Sequence, residues 1–296
     1  MSFLLQHVIQ TAPGAAPTRW AWLLHGILGS GQNLRTVARR LVAAKPDWGF
    51  VLPDLRNHGE SRGAPPPHTV VACAEDLFAL AAHLGIEPRS AIGHSFGGKV
   101  AMVWGARAEA RGHHVERIWA LDVPPGPPDI PLAAQSEVAR VVLALRTVPM
   151  PLPRRDSVVE LLTRAGFSAG LAQWMTTNVR PTEAGFVWRF DLVAIEEMMH
   201  DYARTDAWPW LLSRERRARV DVVRAERSER WPDAELERFG VTPQQTASET
   251  RPERLHLHVL PNAGHWVHVD NPDGLHALLV EEGLGEGDGT GGSSNS

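Results

Sequence analysis

The stretch Ser90-Ala91-Ile92-Gly93-His94-Ser95-Phe96-Gly97-Gly98-Lys99-Val100-Ala101-Met102-Val103-Trp104 decides the fold of this chain. It begins as a short apolar run of strand character and ends in helix-forming residues. Between them stands a serine with glycines two residues before and two residues after it. A strand that turns directly into a helix holds its apex residue in a strained conformation, and flanking glycines leave room for that backbone. The hydroxyl of Ser95 then projects over the edge of a sheet, which reads as a nucleophile. Such a pattern also occurs in plain glycine turns, so the rest of the chain has to supply the context.

Outward from this turn, apolar runs of strand length alternate with helical periodicity. Strands are expected at about 3–11, 19–24, 49–54, 89–93, 115–121, 218–224 and 254–260, and helices at about 32–44, 68–84, 96–110 and 272–283. In the second helix Val71, Leu77, Leu80, Ala81 and Leu84 mark the expected apolar stripe. This alternation predicts an α/β fold with a mainly parallel sheet covered on both faces. After Asp122 the pattern changes. The hinge Pro124-Pro125-Gly126-Pro127-Pro128 opens a stretch of consecutive helical segments with no clear strand. We expect residues 1–123 and 216–284 to form the core, residues 124–215 an all-helical cap inserted before the penultimate strand, and residues 285–296, rich in glycine and serine, a disordered tail. A cap in that position covers the sheet edge at which open α/β folds bind ligands.

Composition narrows the function classes. The 296 residues are 43% hydrophobic, enough for one large domain with an insertion, and 30 basic against 34 acidic residues leave a net charge of −4 without charge blocks. That balance argues against a nucleic-acid or anionic-membrane partner. No stretch reaches the ~20 apolar residues needed to span a membrane. The start Met1-Ser2-Phe3-Leu4-Leu5-Gln6 lacks the pattern of a secretory signal, and the single cysteine, Cys73, suits a reducing compartment, so the expected location is cytoplasmic. Cys73 itself reads as an ordinary helix residue.

Acyl transfer by a serine needs a base, a group that orients the base, and donors for the oxyanion. His265, in Asn262-Ala263-Gly264-His265-Trp266 after the last expected strand, is the candidate base among 14 histidines. His256 and His258 share a strand face without further ligands around them, so they read as strand residues and no metal is expected. His94 reads as structural, and His268 as a residue at the site mouth. The oxyanion donors are expected to be the backbone N–H groups of Ile27, in His25-Gly26-Ile27-Leu28-Gly29-Ser30, and of Phe96. For the acid, Asp122 at the end of Arg117-Ile118-Trp119-Ala120-Leu121 leads. Glu229, in the loop after the next strand and beside Arg227 and Arg230, stays open as the alternative. The order Ser…Asp…His matches this architecture. Asp54, in Pro53-Asp54-Leu55-Arg56-Asn57-His58-Gly59-Glu60-Ser61, reads as the organiser of a tight turn. The cap is rich in large apolar side chains, and Trp174, Trp188 and Phe190 are the candidates to line the substrate cleft.

Together these blocks resemble the α/β-hydrolase superfamily and, within it, the YbfF-type esterases. The Arg56-Asn57-His58-Gly59 element, the Gly97-Gly98-Lys99 run and Trp188-Arg189-Phe190-Asp191-Leu192 narrow the resemblance beyond the superfamily. It implies ester or thioester hydrolysis with no cofactor and no metal; our reading is a serine hydrolase of small to medium acyl esters or thioesters working through an acyl-enzyme, expected as a monomer or small homo-oligomer. The resemblance also places the triad acid on the aspartate that closes the strand after the nucleophile, which is Asp122. A carbon–carbon hydrolase or a cofactor-free haloperoxidase would use the same triad, and a receptor-like protein that binds without turnover is the alternative from another class. Departures from the group are the 27 positions between Ser95 and Asp122 (122 − 95) and the long loop 224–252.

Overall fold

The computed structural model describes residues 3–128, 137–240 and 254–285. A seven-stranded sheet runs through the molecule. Its strands are β1 (His7–Gln10), β2 (Arg19–Leu24), β3 (Trp48–Pro53), β4 (Pro88–His94), β5 (Arg117–Leu121), β8 (Arg219–Ala225) and β9 (Leu255–Leu260), in the order β1-β3-β2-β4-β5-β8-β9. Only β1 is antiparallel to its neighbour among these pairs. The inner strands are buried on both faces, which is why they read as continuous apolar runs. In β2, Trp22 and Leu24 face one core layer while Ala21 and Leu23 face the other, the period of two expected of a strand.

Helices α1 (Arg35–Ala44), α2 (Val70–Leu84), α3 (Phe96–Ala110) and α11 (Pro272–Glu282) cover the sheet. α2 and α3 pack on one face and α1 and α11 on the other, through Leu77 and Val100 and through Leu41, Leu275 and Leu279 respectively. The stripe of α2 differs from the expected one. Val70, Cys73, Ala74, Leu77 and Leu80 are buried, whereas Val71 is 42% exposed. The cause is at the helix start, where the Thr69 hydroxyl accepts from the Ala72 N–H at 3.0 Å and Asp201 Oδ2 accepts from the Val70 N–H at 2.7 Å. These two bonds set the rotation of the helix, and Val71 falls outside the buried arc.

Between β5 and β8 lie α4 (Glu137–Leu145), α5 (Ser157–Arg164), α6 (Ala169–Met175), α7 (Leu192–Tyr202) and α8 (Trp208–Leu211), while α9 (Asp233–Arg238) follows β8 and α10 (Val267–Asp270) follows β9. This region is not all-helical as expected. It also holds an antiparallel hairpin of β6 (Val179–Thr182) and β7 (Gly185–Trp188), extended by a bridge from Leu152 to Phe186. Strands of four residues are too short to show a period of two. Gly185, at φ +128°, and the Thr182 hydroxyl bonded to the Gly185 carbonyl close the turn. The expected tail from 286 onward lies outside the described residues. Gly285 and Leu284 are packed against the body, with the Ser90 hydroxyl donating to the Leu284 carbonyl at 2.6 Å.

Strand order decides where a site can form. The chain passes from β2 to β3 on one side and then to β4 on the other, so the loops leaving β2 and β4 diverge from adjacent strand ends. Such a switch point is the usual binding crevice of an open α/β sheet. No helix among the described residues is long and apolar enough to cross a membrane.

Candidate active site

Five non-glycine residues with positive φ stand beyond strand ends on this edge: Leu28 after β2, Asn57 after β3, Ser95 after β4, Asp122 after β5 and Asn262 after β9. Such conformations persist only where surrounding structure imposes them. Ser95 has φ 53° and ψ −119° and is 8% exposed. The turn closes because Gly93 and Gly97 lie so near to each other, and Gly97 so near to the Leu24 and His25 carbonyls, that a Cβ at either position would clash with backbone. The Ser95 N–H is held by the Leu121 carbonyl at 2.9 Å, which ties the turn to β5.

His265 Nδ1 lies 2.8 Å from Asp122 Oδ2. A carboxylate only accepts, so Nδ1 carries the proton and Nε2 is left as the basic nitrogen. Burial lowers the His265 pKa below 6.5, helped by the positive charge of Arg230 and opposed by Asp122 and Asp270. Asp122 is 1% exposed, yet it accepts four hydrogen bonds. Besides His265, the Ser228 hydroxyl donates to Oδ2 at 2.8 Å, and the Ala225 N–H and Trp231 Nε1–H donate to Oδ1 at 3.1 and 3.0 Å. Burial alone would raise this carboxyl, but the bonds from His265, Trp231 and Ala225 hold it below the usual carboxylate range. From the other side, His94 Nε2–H donates to the His265 carbonyl at 2.7 Å, and burial keeps that ring neutral.

The loop carrying Ile27 is fixed by two histidines in a reciprocal tie. His25 Nε2 accepts from the Leu55 N–H at 2.9 Å, and His58 Nε2 accepts from the Leu28 N–H at 3.1 Å. Their Nδ1–H groups donate to the Gly26 and Arg56 carbonyls. An imidazolium could not accept, and burial lowers these rings to about 4 and about 3, so both stay neutral at ordinary pH. Asp54 fastens the same region by accepting from the Gly31 and Glu60 N–H groups at 2.8 and 2.9 Å, with Gly59 at φ +53° above it. The Ile27 and Phe96 N–H groups have no hydrogen-bond partner among the described residues. The Phe96 group sits at the positive end of α3.

Ser95, His265, Ile27 and Phe96 line one cleft of about 420 Å³, roofed by Val138, Met199, Tyr202 and Ala203. Four of the expected site residues, Trp188, Phe190, Trp174 and His268, are placed elsewhere. Trp188 stacks on Phe190 at 5.3 Å in the cap, and Trp174 packs on Trp266 at 4.9 Å. His268 lies with Trp174 and His94 at a separate small cavity of about 10 Å³ behind the His265 loop. Aromatic pairs of this kind gain most by burying each other, which takes them out of the cleft. Glu229 does line the cleft but contacts neither His265 nor Asp122, and it forms no ion pair with Arg227 or Arg230 among the described residues. Ser228, Trp231 and Tyr202 were not singled out from the sequence. Met199, Tyr202 and Ala203 do recur at helical spacing on one face of α7 and just beyond it, which was the available signal for the roof. Among the described residues, no group of three or more His, Cys, Asp or Glu is arranged to hold a metal ion.

The fold and this cleft define an α/β hydrolase. Residues 12–278 match the alpha/beta hydrolase family, and the chain belongs to it. Over 272 residues it is 30% identical to the sn-1-specific diacylglycerol lipase ABHD11 of Xenopus laevis, covering 86% of this chain and 77% of the lipase. It is 26% identical over 259 residues to the esterase YbfF of Escherichia coli K12, covering 86% and 88%. A solved marine microorganism esterase superposes with a TM-score of 0.78 at 23% identity, covering 95% of this chain and 99% of the other, a likeness of fold.

Proposed function

We propose that this protein is a serine hydrolase of acyl esters or thioesters, with Ser95 as nucleophile, His265 as base and Asp122 as the acid that orients it. The observation that carries the reading is the single cleft shared by a strained Ser95 and by His265, whose ring is held by Asp122 in the tautomer that leaves Nε2 basic. Relatives named esterase and lipase support the same class.

In this reading His265 Nε2 takes the Ser95 proton as Oγ attacks the acyl carbon. The oxyanion is held by the Ile27 and Phe96 N–H groups, which are free to donate and sit on a loop and a helix end that do not have to move. The His265 proton passes to the leaving alcohol or thiol, giving an acyl-enzyme. Water, deprotonated by His265, then releases the acid and restores the Ser95 hydroxyl. Four bonds to Asp122 keep it anionic opposite the imidazolium formed in each half-reaction. The apolar roof of the cleft suits an acyl chain.

Turnover of p-nitrophenyl butyrate by the wild type and by Ser95→Ala tests the reading. The expected loss is about 10³-fold or more. A Ser95→Ala enzyme within tenfold of wild type would overturn it.

A further inference from the structure

Arg230 lines the cleft with Ser95, His265 and Tyr202, yet its guanidinium makes no hydrogen bond or ion pair among the described residues. Its neighbour Arg227 is engaged, donating to the Asn262 carbonyl at 2.9 Å. Two carboxylates, Glu137 and Glu229, also line the cleft, exposed and unpaired with Arg230 among the described residues. The positive charge of Arg230 reaches the groups in and behind the cleft: it helps to lower His265 and His94 and opposes the burial that pushes Tyr202 up to about 12.

We propose that Arg230 receives a carboxylate borne by the substrate, so that the preferred class is carboxylate-bearing esters or thioesters. This rests on the hydrolase reading of the cleft. A guanidinium presents a planar fork of donors that matches a carboxylate in a two-point contact, and a half-buried wall strengthens such a contact beyond its value in open water. Among the described residues, no ion pair to Arg230 has to be broken before the substrate docks. One guanidinium without a partner among the described residues, in a cleft that also presents Glu137 and Glu229, suits a single negative charge, whereas a phosphate dianion would call for more cations.

The test compares kcat/KM on two isosteric pairs. Monoethyl glutarate against ethyl 5-methylhexanoate places the carboxylate on the acyl side, and O-butyrylglycolate against isobutyl butyrate places it on the alcohol side. The wild type is expected to prefer the anionic member of one pair, and that pair identifies the side on which Arg230 acts. In Arg230→Gln the ratio of anionic to neutral kcat/KM should fall roughly tenfold to a hundredfold, the scale of a lost charge-assisted hydrogen bond. Arg230→Lys, which keeps the charge without the fork, should keep part of the ratio, and added salt should shrink the wild-type ratio. Equal loss on neutral and anionic esters in Arg230→Gln, or no anionic preference in either wild-type pair, would overturn the assignment. Turnover of none of the four esters would instead count against the hydrolase reading itself.

Discussion

Asp122 Oδ2 and His265 Nδ1 meet at 2.8 Å across 143 positions of sequence, from the ends of two strands separated by one other in the sheet. β8 lies between them, and its following loop contributes Ser228 and Trp231 to the same carboxylate. The loop in which Glu229 was an alternative acid thus supplies donors to Asp122. Asp122→Asn is therefore expected to lower kcat by about 10⁴-fold, because an amide in this place favours the wrong imidazole tautomer. Glu229→Gln should stay within a few-fold of wild type. Steady-state kinetics on one neutral ester decide it, and a more damaging Glu229→Gln would reverse the assignment.

The pH dependence follows from the same ring. His265 must be neutral to act as base, and burial together with Arg230 lowers its pKa below 6.5. Its proton is therefore lost at lower pH than from an ordinary histidine, and the acidic limb of kcat/KM should have its midpoint below pH 6.5. Asp122, Asp270, His94, His268 and Arg230 are the titratable or charged groups that act on this ring. Removing the positive charge in Arg230→Gln should move the limb upward. A wild-type midpoint above 6.5 would contradict this.

Trp231 tests how firmly the acid is held. Trp231→Phe removes the Nε1–H bond to Asp122 Oδ1 but keeps a ring to pack against Phe239. One buried charge-assisted bond is worth about 1.5–3 kcal/mol, so kcat should fall by roughly tenfold or more while Tm changes little beyond that loss. An unchanged kcat would mean that Ser228 and the Ala225 N–H suffice.

Lys99 connects the core to the cap hinge. It is fully buried, and its Nζ donates to the Pro125, Gly126 and Thr205 carbonyls at 2.8, 2.6 and 3.2 Å. Glu235 braces the same hinge by accepting from the Gly126 N–H and from Trp208 Nε1–H. Lys99→Met leaves those carbonyls without a donor, and a loss of about 2–4 kcal/mol in urea unfolding is expected. A change under about 0.5 kcal/mol would show that the hinge does not depend on it.

How much of this was legible in the sequence depended on how local the physics is. The Ser95 turn was legible because its steric demands fall on residues within two positions. The inner strands of the sheet were legible because burial on both faces leaves continuous apolar runs. Asp122 could be ranked because it follows the strand next to the one that leads into Ser95. The hairpin at Val179–Trp188 was missed because strands of four residues show no period and bury nothing by themselves. Trp174, Trp188 and Phe190 announced apolar surface, but whether such a side chain faces a cleft or another ring is settled by packing between segments. The donors Ser228 and Trp231, and the tie of His25 to Leu55 and of His58 to Leu28, join residues that only the folded chain brings together.

The central claim is that Ser95 is an activated nucleophile, and the most direct measurement is the intact mass and peptide map of the protein after reaction with a fluorophosphonate. The account predicts one adduct per chain, located on Ser95, absent in Ser95→Ala and strongly slowed in His265→Ala. No adduct on the folded wild type, or an adduct that persists at equal rate in Ser95→Ala, would contradict it.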